Sequence, residues 1–86
     1  MGHSARVRHR RRRREQRHEA ALSRCVARIL CRRFRVLRQT HIEPSAKRQA
    51  QRNVDLVLAR LLASFPGAKV WATVTHAGLV VRAEHE

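Results

Sequence analysis

The chain has 86 residues, 20 Lys and Arg against 6 Asp and Glu, a formal net charge of +14 and a pI near 12.0. A chain this short builds one modest core and one domain, which disfavours the polar clefts that most enzymes frame with more residues. Charge this dense works against compaction and points to a polyanionic partner, of which nucleic acid is the commonest.

The charge is not spread evenly. Residues 1–40 hold fourteen arginines and two acids, a net of +12, whereas residues 41–86 carry a net of only +2. Eight arginines fall within twelve positions, namely Arg6, Arg8, Arg10, Arg11, Arg12, Arg13, Arg14 and Arg17. Residues 1–14 lack apolar periodicity and repel one another, so they are expected to form an arginine-rich arm that is disordered in isolation. Arginine outnumbers lysine by eighteen to two. A guanidinium makes forked contacts to phosphate and guanine and stacks on bases, which suits a nucleic-acid surface.

From Glu15 to Gln39 neither Gly nor Pro interrupts the chain, and a first helix is expected over about 15–39. Leu22, Cys25, Val26, Ile29, Leu30, Phe34 and Leu37 step by three and four and define its apolar face. Arg24, Arg28, Arg32 and Arg35 form a second stripe on the opposite side, with no acid between Glu19 and Glu43. Such a helix packs on protein with one face and meets phosphate with the other. Its apolar face is wide enough to seat a second copy, so a homodimer belongs among the expected partners.

Pro44 suits the first turn of a helix and disfavours helical geometry at Glu43. A second helix is therefore expected over about 44–64, with Ile42, Ala46, Ala50, Val54, Val57, Leu61 and Phe65 on its buried side. Phe65-Pro66-Gly67 ends it. Residues 69–75 and 79–84 then alternate with a period of two about His76-Ala77-Gly78, which reads as a β-hairpin. A two-residue turn at Ala77-Gly78 gathers Val70, Ala72, Val74, Leu79, Val81 and Ala83 on one apolar face. A three-residue turn ending on a left-handed Gly78 has the more natural turn chemistry and would pair Trp71 with Ala83. The uniform apolar face favours the first. Trp71 is expected at the core or its edge, the usual place of a sole tryptophan, although the favoured register turns it outward. The fold class is thus α+β: helix, helix, hairpin, as a single domain over residues 15–86 behind a basic arm at 1–14.

Cys25 and Cys31, six residues apart, sit about 9 Å apart along a helix axis and cannot bridge, so they read as reduced, partly buried thiols. Reduced cysteines and the lack of a signal-peptide core favour an intracellular protein, so the expected location is cytoplasmic, or nuclear or organellar in a eukaryote. No stretch is apolar enough to span a membrane, and membrane is not the expected partner. The cysteines and histidines lack the spacing of a metal site, and no nucleophile, base and orienting group form a motif, so no metal, no cofactor and no enzymatic activity are expected. The expected function is non-enzymatic binding of structured RNA or duplex DNA, as in a ribonucleoprotein or nucleoid component. Contact would run through the arm and Arg24, Arg28, Arg32 and Arg35. The rival is an adaptor or inhibitor that binds an acidic protein partner through the first helix.

Overall fold

A computed structural model describes residues 2–84, with side chains from Arg13 onward. The architecture is α+β. Helix α1 (Gly2–Arg33) is followed by a 3-10 turn (Arg35–Leu37), helix α2 (Pro44–Ser64) and the strands β1 (Val70–Thr75) and β2 (Gly78–Ala83). The two helices form one layer and the antiparallel hairpin the other.

Helix α1 starts at Gly2, ahead of the start near Glu15 expected from the sequence, and stops at Arg33, short of Gln39. The longer reach is compatible with propensity, because no proline or internal glycine interrupts it and arginine is a strong helix former. The side chains of residues 1–12, on which most of the expected arm falls, lie outside the described residues.

The early stop is a tertiary effect. Phe34 leaves helical geometry, the 3-10 turn follows, and Gln39 takes a left-handed conformation (φ 52°). Thr40 Oγ1 donates to the carbonyls of Val36 (2.7 Å) and Arg38 (3.1 Å), holding the turn where no glycine or proline marks one. The reversal swings Phe34 and Leu37 onto the core.

Helix α2 keeps its expected bounds. Pro44 opens it, Glu43 ahead of it is extended (φ −59°, ψ 141°), and the Glu43 carbonyl accepts from Ala46 and Lys47. At the other end Phe65 N–H still bonds to Leu61 O, and Gly67 turns the chain with φ +96°. Val54 is fully buried, with Ala50, Val57, Leu58, Leu61 and Leu62 packed round it or beside it. Ala46, expected in the same stripe, is exposed in the first turn of the helix.

The hairpin pairs Val74 with Leu79, Ala72 with Val81 and Val70 with Ala83, leaving His76 and Ala77 as a two-residue turn. The buried face is the one expected, but the register differs by two residues from the Ala77-Gly78 turn. Gly78 meanwhile adopts the positive φ (+121°) of the rejected alternative. A Cβ on Gly78 would stand 2.7 Å from Leu37 O and 2.9 Å from Gln39 N, so the connector after α1 lies directly against the turn. Backbone contact, as well as φ, selects glycine there. Ile42 N–H donates to His76 O at 2.9 Å and ties the same connector down.

Two buried clusters make one core, since Leu58, Leu61 and Val81 touch both. Leu30, Ile42, Val54, Val74 and Leu79 fill the turn end; Val26, Ala27, Val70 and Ala83 fill the other. Strand β1 therefore runs in the same direction as α1, with β2 the strand nearer to α1 and β1 the strand nearer to α2. Each helix also sends one polar side chain to β1 or its approach. Ser23, 1% exposed, donates to Glu19 O and accepts from Lys69 N–H at 2.8 Å. From α2, Gln51 accepts from Val74 N–H (2.7 Å) and donates to Ala72 O (3.1 Å), so its amide occupies part of the edge of β1 that β2 leaves free.

Candidate nucleic-acid interface

The buried arc of α1 is rotated from the one read in the sequence. Ala20, Ser23, Val26, Ala27 and Leu30 are buried, whereas Cys25 is exposed and Ile29 is 37% exposed. The reason is Ser23: its hydroxyl is satisfied by Lys69 N–H and Glu19 O, so a polar residue can sit in the helix–sheet contact and draw the arc toward itself. Cys31 is half-buried, so the expectation of partly buried thiols holds for Cys31 and fails for Cys25. Among the described residues no three His, Cys, Asp or Glu gather as a metal site.

Rotation of the arc leaves the arginine stripe fully on the solvent side. Arg24, Arg28 and Arg32 repeat at four-residue steps and are all exposed, as is Arg35 on the 3-10 turn. Arg13, Arg14 and Arg17 are exposed one to two turns before Ala20, the first buried residue among those whose side chains are described. Arg6, Arg8, Arg10, Arg11 and Arg12 lie outside the residues whose side chains are described. From Arg13 to Arg32 the helix rises about 28 Å, more than the width of either groove of a B-form duplex. Arg33 and Arg38, at the end of α1 and of the turn after it, are exposed as well.

The acids stay off this face. Glu15 and Glu19 share the helical side of Leu22 and Val26, and Glu19 Cγ lies 3.6 Å from the position of a Cβ on Gly67. Among the described residues the ion pairs are His41 Nε2 with Glu43 Oε1 at 3.3 Å and Lys69 Nζ with Glu84 Oε2 at 3.4 Å. Neither includes an arginine. An arginine face of one sign, without internal counter-charge, concentrates anions at the helix surface.

Trp71 is not at the core, the usual place of a sole tryptophan, and points outward as the favoured apolar face implied. It is 57% exposed on the outer face of the hairpin, directly across from Arg82. Sequence reasoning also passed over Ser23 and Gln51. Ser23 precedes Val26 by three and Leu30 by seven, which places it on the buried arc, and that spacing was the available signal. Gln51 left no comparable mark, since an amide at a helix edge looks like any solvated residue. No helix of the described residues is long and apolar enough to cross a membrane. No protein-family model, curated protein or solved structure matches this chain significantly.

Proposed function

We propose that the protein binds nucleic acid and performs no chemistry on it, holding the phosphates of structured RNA or duplex DNA against the arginines of α1. One observation carries the reading: Arg13, Arg14, Arg17, Arg24, Arg28 and Arg32 are all exposed, and none is in an ion pair among the described residues. Packing uses none of them, and their repulsion is a standing cost that a polyanion would relieve. Arginine suits the role because its fork takes two phosphate oxygens at once. Arg13, Arg14 and Arg17 extend the same surface ahead of Ala20, as a clamp or an anchor along the backbone.

The test is affinity for an RNA hairpin, a DNA duplex and a single strand at several salt concentrations. The full chain, a form lacking residues 1–17 and the variant Arg24→Gln/Arg28→Gln/Arg32→Gln should be compared. Each lost phosphate contact is expected to flatten the plot of log affinity against log salt by about 0.9 for a duplex. The triple variant should therefore lose up to roughly three such steps, and the truncated form a further few. Absence of binding to every nucleic acid at low salt overturns the proposal. Tighter binding to an acidic peptide than to any nucleic acid at equal salt would favour the adaptor reading instead.

A further inference from the structure

Helix α2 carries a second, shorter basic stripe. Arg52, Leu56 and Arg60 step by four and are all exposed, Leu56 with 63% of its surface in solvent. Leu56 follows the fully buried Val54 by two residues, a rotation of about 200° around the axis, so this stripe stands opposite the core. Arg28 and Arg32 flank the fully buried Leu30 by two residues on either side and stand opposite the core of α1 in the same way. Neither Arg52 nor Arg60 is in an ion pair among the described residues.

The two helices run antiparallel, because Leu30 clusters with Val54 at the turn end of the core and Val26 with Leu62 and Phe65 at the other. Arg52 therefore lies level with the Arg32 end of α1, and Arg60 lies toward Cys25. Both helices pack on one face of the hairpin, so the far side of the helix layer is a single surface. Between the two stripes this surface is neutral. Cys25 and Ile29 lie on the α2 side of the α1 stripe, the side on which Leu22 approaches Gly67. Asn53 lies on the α1 side of the α2 stripe, turned about 200° from Gln51, which reaches the free edge of β1. The described acids are elsewhere. Glu15 and Glu19 share the side of Leu22, Glu43 precedes α2 beside His41, and Glu84 is on the hairpin with Lys69. Asp55, the acid nearest Arg52 in sequence, accepts from Gln51 at 2.9 Å on the flank away from α1.

We infer that the outer face of the helix layer straddles one wide groove of a duplex, with the α1 arginines on the phosphates of one strand and Arg52 and Arg60 on those of the other. This rests on the proposed nucleic-acid binding and assigns it a ligand class, a double strand. Packed helices lie about 8–10 Å apart at their axes and measure about 10–12 Å across, so the outer flanks of the layer stand roughly 20 Å apart. That width spans the major groove of B-form DNA, about 12 Å wide, with a row of phosphates on each side. The wide, shallow minor groove of an A-form RNA helix offers a similar pair of rows, whereas the B-form minor groove, about 6 Å wide, is too narrow. A single strand has one row and leaves one stripe unmatched. A second copy of the chain is disfavoured by charge, because docking the two layers face to face would oppose arginine stripes with no acid between them.

The test compares the parent with Arg52→Gln/Arg60→Gln and with a charge-matched control off the stripe, Lys47→Gln/Arg48→Gln. The probes are a blunt DNA duplex, a blunt RNA duplex, one strand of each, and polyglutamate, every one titrated at several salt concentrations. The Arg52/Arg60 variant is expected to flatten the duplex plot of log affinity against log salt by up to about 1.8, at about 0.9 per lost contact. The control should flatten it by less than half as much, and the single strands should hardly respond to either variant. The duplex that shows the larger change identifies the groove, B-form major for DNA or A-form minor for RNA. The parent chain supplies a second measurement: Cys25 is exposed between the stripes and Cys31 is half-buried, so bound duplex should block alkylation of Cys25 by iodoacetamide. Duplex slopes that ignore Arg52 and Arg60, or respond equally to the control, overturn the straddled groove and leave phosphate binding by α1 standing. So does full alkylation of Cys25 under saturating duplex. An equal change with the single strands overturns the assignment to a double strand, and an equal change with polyglutamate favours an acidic protein and overturns it too. Failure of every nucleic acid to bind overturns both proposals.

Discussion

Both helices turn an apolar arc to the sheet, buried at Ala20, Ser23, Val26, Ala27 and Leu30 in α1 and at Val54 in α2 among the described residues, and they differ on the side that faces solvent. Around α2, Lys47, Arg48, Arg52 and Arg60 are interspersed with Gln49, Gln51, Asn53 and Asp55, and side chains four apart bond to one another, Gln49 to Asn53 at 3.1 Å and Gln51 to Asp55 at 2.9 Å. Along α1 the exposed side repeats arginine, and none of those arginines is in an ion pair among the described residues. Both helices reach the same sheet by the same means, an apolar arc plus one polar side chain bonded to backbone at β1 or just ahead of it. Packing is therefore indifferent to what lies on the far side of a helix. On α2 the amides bond to side chains one turn on and the cations are spaced by neutral residues, while α1 gathers its arginines in one stripe, a denser repulsion that the fold bears without using.

The largest test of this division sets the two sides of α1 against each other. Leu30→Ala, at a fully buried position, should lower unfolding free energy by about 2–5 kcal/mol in a urea titration. Arg28→Gln, two residues away and exposed, should change it by less than about 0.5 kcal/mol. A comparable loss from both would mean that the arginine face takes part in packing after all.

A smaller effect separates the polar anchors. Ser23→Ala removes the acceptor of Lys69 N–H in a buried setting and should cost about 1–3 kcal/mol. Gln51→Ala should cost about 1 kcal/mol, since its site is half-buried and water can replace the amide. Hydrogen exchange should resolve the two: the amide of Lys69 speeds up in the first variant and that of Val74 in the second. Unaltered exchange at both would show that neither side chain holds the strand.

The smallest expected effect concerns the repulsion itself. Added salt screens like charges, so the melting temperature of the parent should rise between low and moderate ionic strength. In Arg24→Gln/Arg28→Gln/Arg32→Gln the rise should shrink, with the variant at least as stable as the parent at low salt. A salt response identical in both proteins would mean that the stripe imposes no cost on folding.

Punctuation and period made much of the fold legible. Pro44 and Phe65-Pro66-Gly67 fix the ends of α2 through a missing N–H and a left-handed turn, both local properties of the residues concerned. The period of two assigns Val70, Val74, Leu79 and Ala83 to one face whichever even register is taken, so the buried side was readable while the pairing was off by two residues. The end of α1 was not readable, because Gln39 turns left-handed with no glycine to announce it and Thr40 holds it there. The apolar arc was read too wide, since Cys25 and Ile29 have helical spacing as good as that of Val26 and Leu30.

By itself the sequence determined where the charge lies, that two amphipathic helices precede a hairpin, and that the arginines repeat on one side of the first helix. These follow from covalent order and from the fixed periods of helix and strand, which need no partner to be defined. Tertiary structure decided how far α1 rolls toward Ser23, which strand residues pair, why Gly78 must be glycine, and that Trp71 stands in solvent across from Arg82. Each of those depends on which atoms of distant segments come within contact of one another, a quantity that period and composition leave open. Packing chose one arc of α1, and in choosing it left the arginines and the tryptophan outside.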